Sequence, residues 1–485
     1  MDKDKFILDL EGMCGKEYTI SSHSELVAFE CDGLTGYRVK PFCVVLPATT
    51  GEVSEVIKLC YENDVPFVPR GSGTGLSGGA LPVDDGIVIS LSRMTNILDV
   101  DIENQRVVVE PGVINLQVTK AVENWGYYYA PDPSSQVVCS IGGNVAENSG
   151  GVHCLKYGVT SNHVLGLEAV LPTGEVVELG GKTLDPPGYD LVGLFVGSEG
   201  LLGIVTKITL KIIKKPQTIK TMFASFGNIA EAGASVSGII SKGIIPGGME
   251  IMDNISIMAV ESVVNSGYPV DAAGVLIVEL DGLTAEVEAQ TPLVIEVLKE
   301  NKAEIIKIAK DMAERDLFWK GRKSAFAAMG RMSPEYYVQD GVIPRSKLAG
   351  VLAEIEELSK KYGIRVANVF HAGDGNLHPL ILYDTKIEGQ LEKAEQIAGD
   401  ILEICVNAGG SITGEHGVGF DKKRFLDKMF SEDDLDTMNM IRCTFDHKNL
   451  CNPGKVFPTP RTCVEPGMKK FTPHELHEKA VAEMY

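Results

Sequence analysis

Two histidines, His371 and His378, stand seven residues apart across Gly373-Asp374-Gly375-Asn376. That tetrapeptide is a tight-turn signal, and the apolar runs 365–370 and 379–383 beside it read as the two strands of a hairpin. A hairpin folds both imidazoles toward one point. Neutral imidazoles joined by one carboxylate make a Zn²⁺ or Mn²⁺ site; two histidines hydrogen-bonded in a polar loop are the alternative. Farther on, Glu415 and His416 adjoin each other between Gly414 and Gly417. A histidine, with its reference pKa of about 6.5, suits a general base near neutral pH, or it serves as a buried structural residue. Arg322, in Phe318-Trp319-Lys320-Gly321-Arg322-Lys323, offers a planar fork to a carboxylate. By spacing alone it reads as a solvated helix residue.

Three glycine-rich stretches carry a second kind of chemistry: residues 71–79, 140–151 and 197–203. Each exposes backbone N–H groups and small hydroxyl or amide donors, which take phosphate oxygens without cationic side chains. Three of them within one segment suit a diphosphate cofactor in an extended pose, and glycine permits the close backbone approach. Gly73-Thr74-Gly75-Leu76-Ser77-Gly78 matches G-x-G-x-x-G, but the dinucleotide-binding reading needs a helix to follow. Gly79-Ala80-Leu81-Pro82 and a turn at Asp84-Asp85-Gly86 follow instead.

The elements that must position these groups divide the chain. Residues 1–35 read as a helical lead-in. Thr49-x-x-Glu52 resembles a capping box ahead of a helix burying Val53, Val56, Ile57 and Cys60. Strands are expected at 65–70, 86–91, 105–109, 166–171 and 204–213, so 36–215 reads as an α+β unit ending at Lys214-Lys215-Pro216. Residues 216–445 alternate long helices, including 290–301, 302–323 and 431–450, with strands such as 273–280. The segment 446–485 reads as a return to the first unit with a polar surface tail beyond Pro458.

The 485 residues include 52 glycines, above the ~7% average, so glycine does local backbone work. With 66 Asp+Glu against 45 Lys+Arg the net charge is −21, which disfavours nucleic acid and anionic lipid as partners. A local cationic pocket still accepts a small anion. No apolar run reaches the ~18–20 residues of a membrane span, and no secretory signal is visible at the start. Ten cysteines without a Cys-x-x-Cys pair exclude zinc ribbons and iron–sulfur frameworks and read as reduced thiols in a cytoplasmic chain.

Residues 69–79 resemble the FAD-pyrophosphate loop of the vanillyl-alcohol-oxidase-type flavoproteins. Pro131-Asp132-Pro133-Ser134-Ser135, Gly142-Gly143-Asn144 and Gly197-Ser198-Glu199-Gly200 resemble further FAD-contacting segments of that fold. Residues 371–379 and 414–419 are similar to the D-2-hydroxyacid dehydrogenase branch, the glycolate and D-lactate dehydrogenase type, and Asn452-Pro453-Gly454-Lys455 to its closing motif. The resemblance spans about 36–458. It implies a two-subdomain FAD-binding domain and a cap domain with an antiparallel sheet and covering helices. It implies FAD contacts at Pro69, Arg70, Gly71, Ser72, Gly73, Thr74, Gly75, Ser77, Gly78, Pro131, Asp132, Ser134, Ser140, Gly142, Gly143, Asn144, Ser149, Gly150, Gly151, Glu199, Gly200, Ile204 and Asn452. Some relatives attach FAD through a histidine in the first loop; Ser72 and Thr74 stand there instead, so FAD is expected to be non-covalent.

By the same resemblance His371, His378 and Glu415 bind a divalent Zn, Mn or Fe ion. Arg322 holds the substrate carboxylate, and His416 is the base. Relatives with larger diacid substrates carry polar or cationic contacts at positions that align with Phe326 and Gln339, which favours a small monocarboxylate. Arg345 is a secondary anion candidate, and Tyr336 and Tyr337 are candidates to close the pocket. The implied reaction oxidises glycolate or D-lactate to the 2-oxo acid with hydride transfer to flavin N5. Electrons then pass to an iron–sulfur subunit, an electron-transfer flavoprotein or a quinone-linked acceptor, or to oxygen. A membrane chain would be reached through such a partner. A dehydrogenase for 2-hydroxyglutarate and a flavin electron-relay subunit are the competing readings.

Overall fold

The computed structural model describes residues 1–183 and 188–458. Its first sheet has four strands, in the order Thr19–Ile20, Cys43–Val45, Ile87–Ser90 and Phe67–Arg70. The last three run parallel and are buried on both faces, as β-branched runs without alternation require. The lead-in is therefore not wholly helical. The helix Lys3–Cys14 buries Phe6, Leu10 and Cys14, but Thr19 and Ile20 then pair with the open edge at Val45 and Val44. In the helix Thr50–Glu62, Thr49 Oγ1 accepts from Glu52 N–H while Glu52 reaches the Ala48 N–H, one residue before the expected partner.

A second, antiparallel sheet follows, ordered Ile97–Asp101, Arg106–Val109, Ile204–Lys211, Val164–Val170 and Val176–Gly180. Period-two burial along Ile204–Lys211 turns Ile204, Thr206, Ile208 and Leu210 inward. Residues 450–452 return to the first sheet. The Phe67 N–H donates to the Leu450 carbonyl, and the Asn452 N–H donates to the Phe67 carbonyl.

Between these two ends lies an eight-stranded antiparallel sheet. Its two faces are read directly from alternation. Met222, Ala224, Phe226, Ile251, Leu276, Val278, Phe370 and Leu377 pack under the helices Ile229–Ser241, Thr284–Glu300, Leu348–Tyr362 and Gln390–Asn407. Phe223, Met252, Val275, Ile277, Val369 and Leu380 face the helices Asn254–Glu261 and Met312–Ala328. Residues 302–323 are not one helix. Ile305–Ile308 is an edge strand on Met222–Ser225, and the helix begins only after Asp311, whose carboxylate accepts from Glu314 N–H. β-branched isoleucines beside an unpaired strand edge outweigh the local helix propensity there.

No helix among the described residues is long and apolar enough to cross a membrane. Eight of the described cysteines are free. The expected polar tail beyond Pro458 lies outside the described residues.

Candidate active site

One elongated cavity of ≈ 470 Å³ runs from the glycine-rich loops to the histidine hairpin. Its first half forms where the parallel strand Phe67–Arg70 ends. Gly71 and the second stretch meet so closely that a Cβ on Gly71 would lie 2.3 Å from Ser140 Oγ, the atom that accepts the Ser72 N–H. Gly73 turns at φ +68°, and a Cβ there would lie 2.2 Å from the Arg70 guanidinium. That guanidinium is itself held by the Cys31 carbonyl at 2.8 Å. The walls are thus backbone N–H groups and serine hydroxyls where side chains would fill the space. This donor set and this emptiness suit a diphosphate.

Sixteen of the expected FAD contacts line the cavity: Pro69 to Gly75, then Ser134, Ser140, Gly142, Gly143, Asn144, Ser149, Glu199, Gly200 and Ile204. Seven do not, and they shape its walls instead. The Ser77 carbonyl accepts from Phe420 and Asp421 N–H, and Gly78 turns at φ +76° against Phe420. The Pro131 carbonyl accepts from Asn115 Nδ2, and Asp132 pairs with His153 at 2.9 Å. A Cβ on Gly150 would press Glu415 Oε2 at 2.8 Å, and Gly151 turns at φ +145° against the Asp132 carbonyl. Asn452 Nδ2 donates to the Gly79 and Glu199 carbonyls, clamping two of the loops together. Glu147 lines the cavity beside Glu199 and was not anticipated. Burial raises Glu199 to about 7 and Glu147 well above the usual carboxylate range.

At the other end the strands Val366–His371 and Asn376–Tyr383 form the hairpin, with His371 opposite Asn376 and Val369 opposite His378. His371 and His378 therefore share a face as diagonal neighbours, their rings 5.1 Å apart. The turn demands glycine at 375: φ is +84°, and a Cβ would lie 2.1 Å from the Ile343 carbonyl oxygen. Glu415 Oε1 lies 3.3 Å from His371 Nε2 and 3.4 Å from His378 Nε2. The three potential ligand atoms all lie within 4.8 Å of one another. Both nitrogens of His378 are buried without a hydrogen-bond partner. Two imidazoles and a carboxylate converging with an unused lone pair fit a divalent ion better than a polar hydrogen-bonded loop. Burial alone would raise Glu415, but His371, His378 and His416 outweigh it and hold the carboxyl at about 2.

The residue that sets the Glu415–His416 loop is Asp340, which carried no sequence signal. It is fully buried and accepts from Thr413 Oγ1 at 2.6 Å, from the N–H groups of Gly414, Glu415 and His416, and from Lys422 Nζ at 3.2 Å. Glu199 takes over one turn later, accepting from Val418 and Gly419 N–H at 2.6 and 2.7 Å. Held so, the His416 ring lies parallel to His378 with centroids 4.9 Å apart. Burial pushes its imidazole down to about 4 against the opposing pull of Asp340, so it stays neutral.

Arg322 sits in the helix Met312–Ala328, not at its end, and is almost wholly buried. Its Nε donates to Glu250 at 2.7 Å, and Nη2 has no partner. It lies behind the cavity wall, whereas Lys323, Phe326 and Ala327, on the neighbouring face, line the cavity. The Phe326 ring meets His378 edge-on. Tyr336 lines the cavity, while Tyr337, its neighbour along the strand, points to the opposite face and donates to Asp421. Arg345 is outside; it donates to the Gly373 carbonyl at the back of the hairpin turn. Gln339 is fully buried, and neither of its side-chain polar atoms has a partner.

A parallel-sheet loop domain that cradles a diphosphate, roofed by a sheet carrying acid–base groups, defines the two-domain FAD-dependent oxidoreductases. Comparison with known proteins agrees. The family described as FAD binding domain matches residues 41–180, and FAD linked oxidases, C-terminal domain, matches residues 215–456. The chain is 49% identical to glycolate oxidase subunit GlcD of Escherichia coli K12, over 92% of this chain and 90% of that protein. It is 40% identical to GlcD of Bacillus subtilis, over 91% and 94% respectively. It is 33% identical to a D-lactate dehydrogenase of Anaerostipes hadrus, over 86% and 90%. Among solved structures, p-cresol methylhydroxylase aligns with a TM-score of 0.79 at 18% identity, covering 94% of this chain and 96% of that one. The chain belongs to the FAD-linked oxidase family, and its fold is of the vanillyl-alcohol-oxidase type.

Proposed function

We propose that this protein oxidises a small D-2-hydroxy acid, glycolate or D-lactate, to the 2-oxo acid. The observation that carries the reading is the meeting, at one end of a single cavity, of His378, Glu415 and a buried, neutral His416, with His371 converging on the first two. Bound FAD supplies the two-electron acceptor for the α-hydrogen, and a Zn, Mn or Fe ion on His371, His378 and Glu415 supplies a Lewis acid for the hydroxyl oxygen. His416 takes the hydroxyl proton, for which a neutral imidazole is the required form. Arg322, whose buried Nη2 has no partner, is assigned the substrate carboxylate, which it would meet once Nη2 turns into the cavity, and Lys323 adds positive potential there. Phe326, pressed against His378, takes up the room that a second carboxylate would need, which favours the small acid over 2-hydroxyglutarate.

Nothing in the chain offers ligands for an iron–sulfur cluster by spacing, and two of the relatives are named as subunits. A partner protein, either an iron–sulfur subunit or an electron-transfer flavoprotein, then carries the electrons onward. The anaerobic visible spectrum of the purified protein tests the reading. Glycolate or D-lactate should bleach the flavin, while L-lactate and D-2-hydroxyglutarate should not. A bound flavin that none of the four bleaches would overturn the substrate assignment.

A further inference from the structure

Resting on the metal and carboxylate assignments just made, we propose that Glu250 is a positioning residue that holds the His371 ligand and the Arg322 guanidinium with one carboxylate. Glu250 stands on the strand Gly248–Asp253, directly opposite His371, and is 1% exposed. Its Oε1 accepts from His371 Nδ1 at 2.6 Å, and its Oε2 accepts from Arg322 Nε at 2.7 Å.

The two bonds do different work. A donor at Nδ1 fixes the imidazole tautomer, which leaves Nε2, the atom 3.3 Å from Glu415, as the ligand nitrogen. The bond to Nε anchors the guanidinium at its inner edge and leaves Nη2 without a partner. Glu279, on the neighbouring strand Gly274–Gly282, makes an instructive contrast. It accepts from Arg315 through two nitrogens, from Trp319 Nε1 and from Thr221 Oγ1, and none of those donors keeps a buried orphan. Glu279 closes a structural network, whereas Glu250 leaves Arg322 Nη2 without a partner and turns His371 Nε2 toward Glu415, and both groups belong to the proposed chemistry. Glu250, Arg322 and His371 are all buried, so metal affinity and carboxylate affinity are coupled through one side chain.

The test uses FAD-loaded protein carrying Glu250→Gln, in which a neutral amide can satisfy only one of the two donors. Zn²⁺ affinity is read by competition with a chelating dye. Binding of 2-hydroxy-2-methylpropanoate, which has no α-hydrogen to lose, is read from the flavin difference spectrum. Zn²⁺ should bind about 10–100-fold more weakly, the usual loss when a ligand histidine is deprived of its supporting partner. The analogue should bind about tenfold more weakly, as one misplaced charge-assisted hydrogen bond costs. Arg322→Met should lose analogue binding and keep Zn²⁺, and the double variant should bind the analogue no worse than the worse single. Should Glu250→Gln fail to load FAD, Glu250→Asp decides the matter: it keeps the charge beside Arg322, withdraws the carboxylate from His371, and should lose Zn²⁺ affinity alike. Wild-type Zn²⁺ affinity in the FAD-loaded variant overturns the proposal while leaving the metal site standing. A wild type that binds neither Zn²⁺ nor Mn²⁺ overturns the metal assignment itself, and the proposal with it.

Discussion

Asp340→Asn should cost this protein more than any other single-atom exchange near the cavity. The carboxylate receives five donors, three of them consecutive backbone N–H groups from Gly414 to His416, and it is the counter-charge of a lysine that is 1% exposed. The amide keeps one accepting oxygen and turns an NH₂ toward groups that are themselves donors. An unsatisfied buried donor costs about 1–3 kcal/mol. Stripping the partner from a buried ion pair costs about 3–5 kcal/mol. The two overlap, so the larger range is the expected loss. For a cooperative unit of 150–250 residues that range is a Tm drop of about 6–20 °C. Thermal denaturation of FAD-loaded protein, followed by circular dichroism, reads it. The catalytic consequence is separable. With its backbone anchor gone the Glu415–His416 loop shifts, and a displacement of about 1 Å is worth about 10²-fold in turnover. A variant that melts within 2 °C of wild type and turns over normally would refute the assignment of Asp340 as the anchor of that loop.

Phe326→Thr should raise the kcat/KM for D-2-hydroxyglutarate relative to glycolate by opening the space beside His378; steady-state kinetics with both acids checks it. Gly375→Ala should destabilise the hairpin by more than about 3 kcal/mol, since it places a Cβ 2.1 Å from a carbonyl oxygen at positive φ, and loss of bound Zn²⁺ should accompany the lower Tm. His153 gives a pH prediction. Burial works to lower it, but Asp132 and Glu279 outweigh burial and raise it to about 10. The charged ring therefore stabilises the fold fully below its unfolded pKa of about 6.5, and the benefit fades as pH rises through 10. Each pKa unit is about 1.4 kcal/mol, so His153→Gln should melt well below wild type at pH 6, with the gap narrowing toward pH 10.

The glycine stretches and the hairpin histidines were legible because their constraints are local. A Gly-Asp-Gly-Asn turn fixes where His371 and His378 go, and glycines that admit no Cβ mark where backbone meets ligand or backbone. Sequence separated lining from shaping less well: Gly71 and Gly78 look alike on paper, yet one faces the cavity and the other packs on Phe420. Asp340 and Glu250 are invisible because each is a lone acidic residue whose hydrogen-bonding partners lie 72 to 121 positions away, and Glu147 because nothing local marks it. Arg322 was found by resemblance, but only helix geometry shows that it sits behind the wall and that Lys323 stands in front. The stretch 302–308 was misread as helix because its pairing with Met222–Ser225 has no local signature.

The ladder between Phe67 and residues 450–452 has a consequence for the order of synthesis. The first and third glycine stretches leave the ribosome long before Asn452, whose amide ties the Gly79 carbonyl to the Glu199 carbonyl. A nascent chain of 440 residues has every loop of the flavin cradle, joined through Ser72 and Ser140, but not the Asn452 clasp. The full rigidity of the cradle therefore waits until residues 450–452 have paired with Phe67.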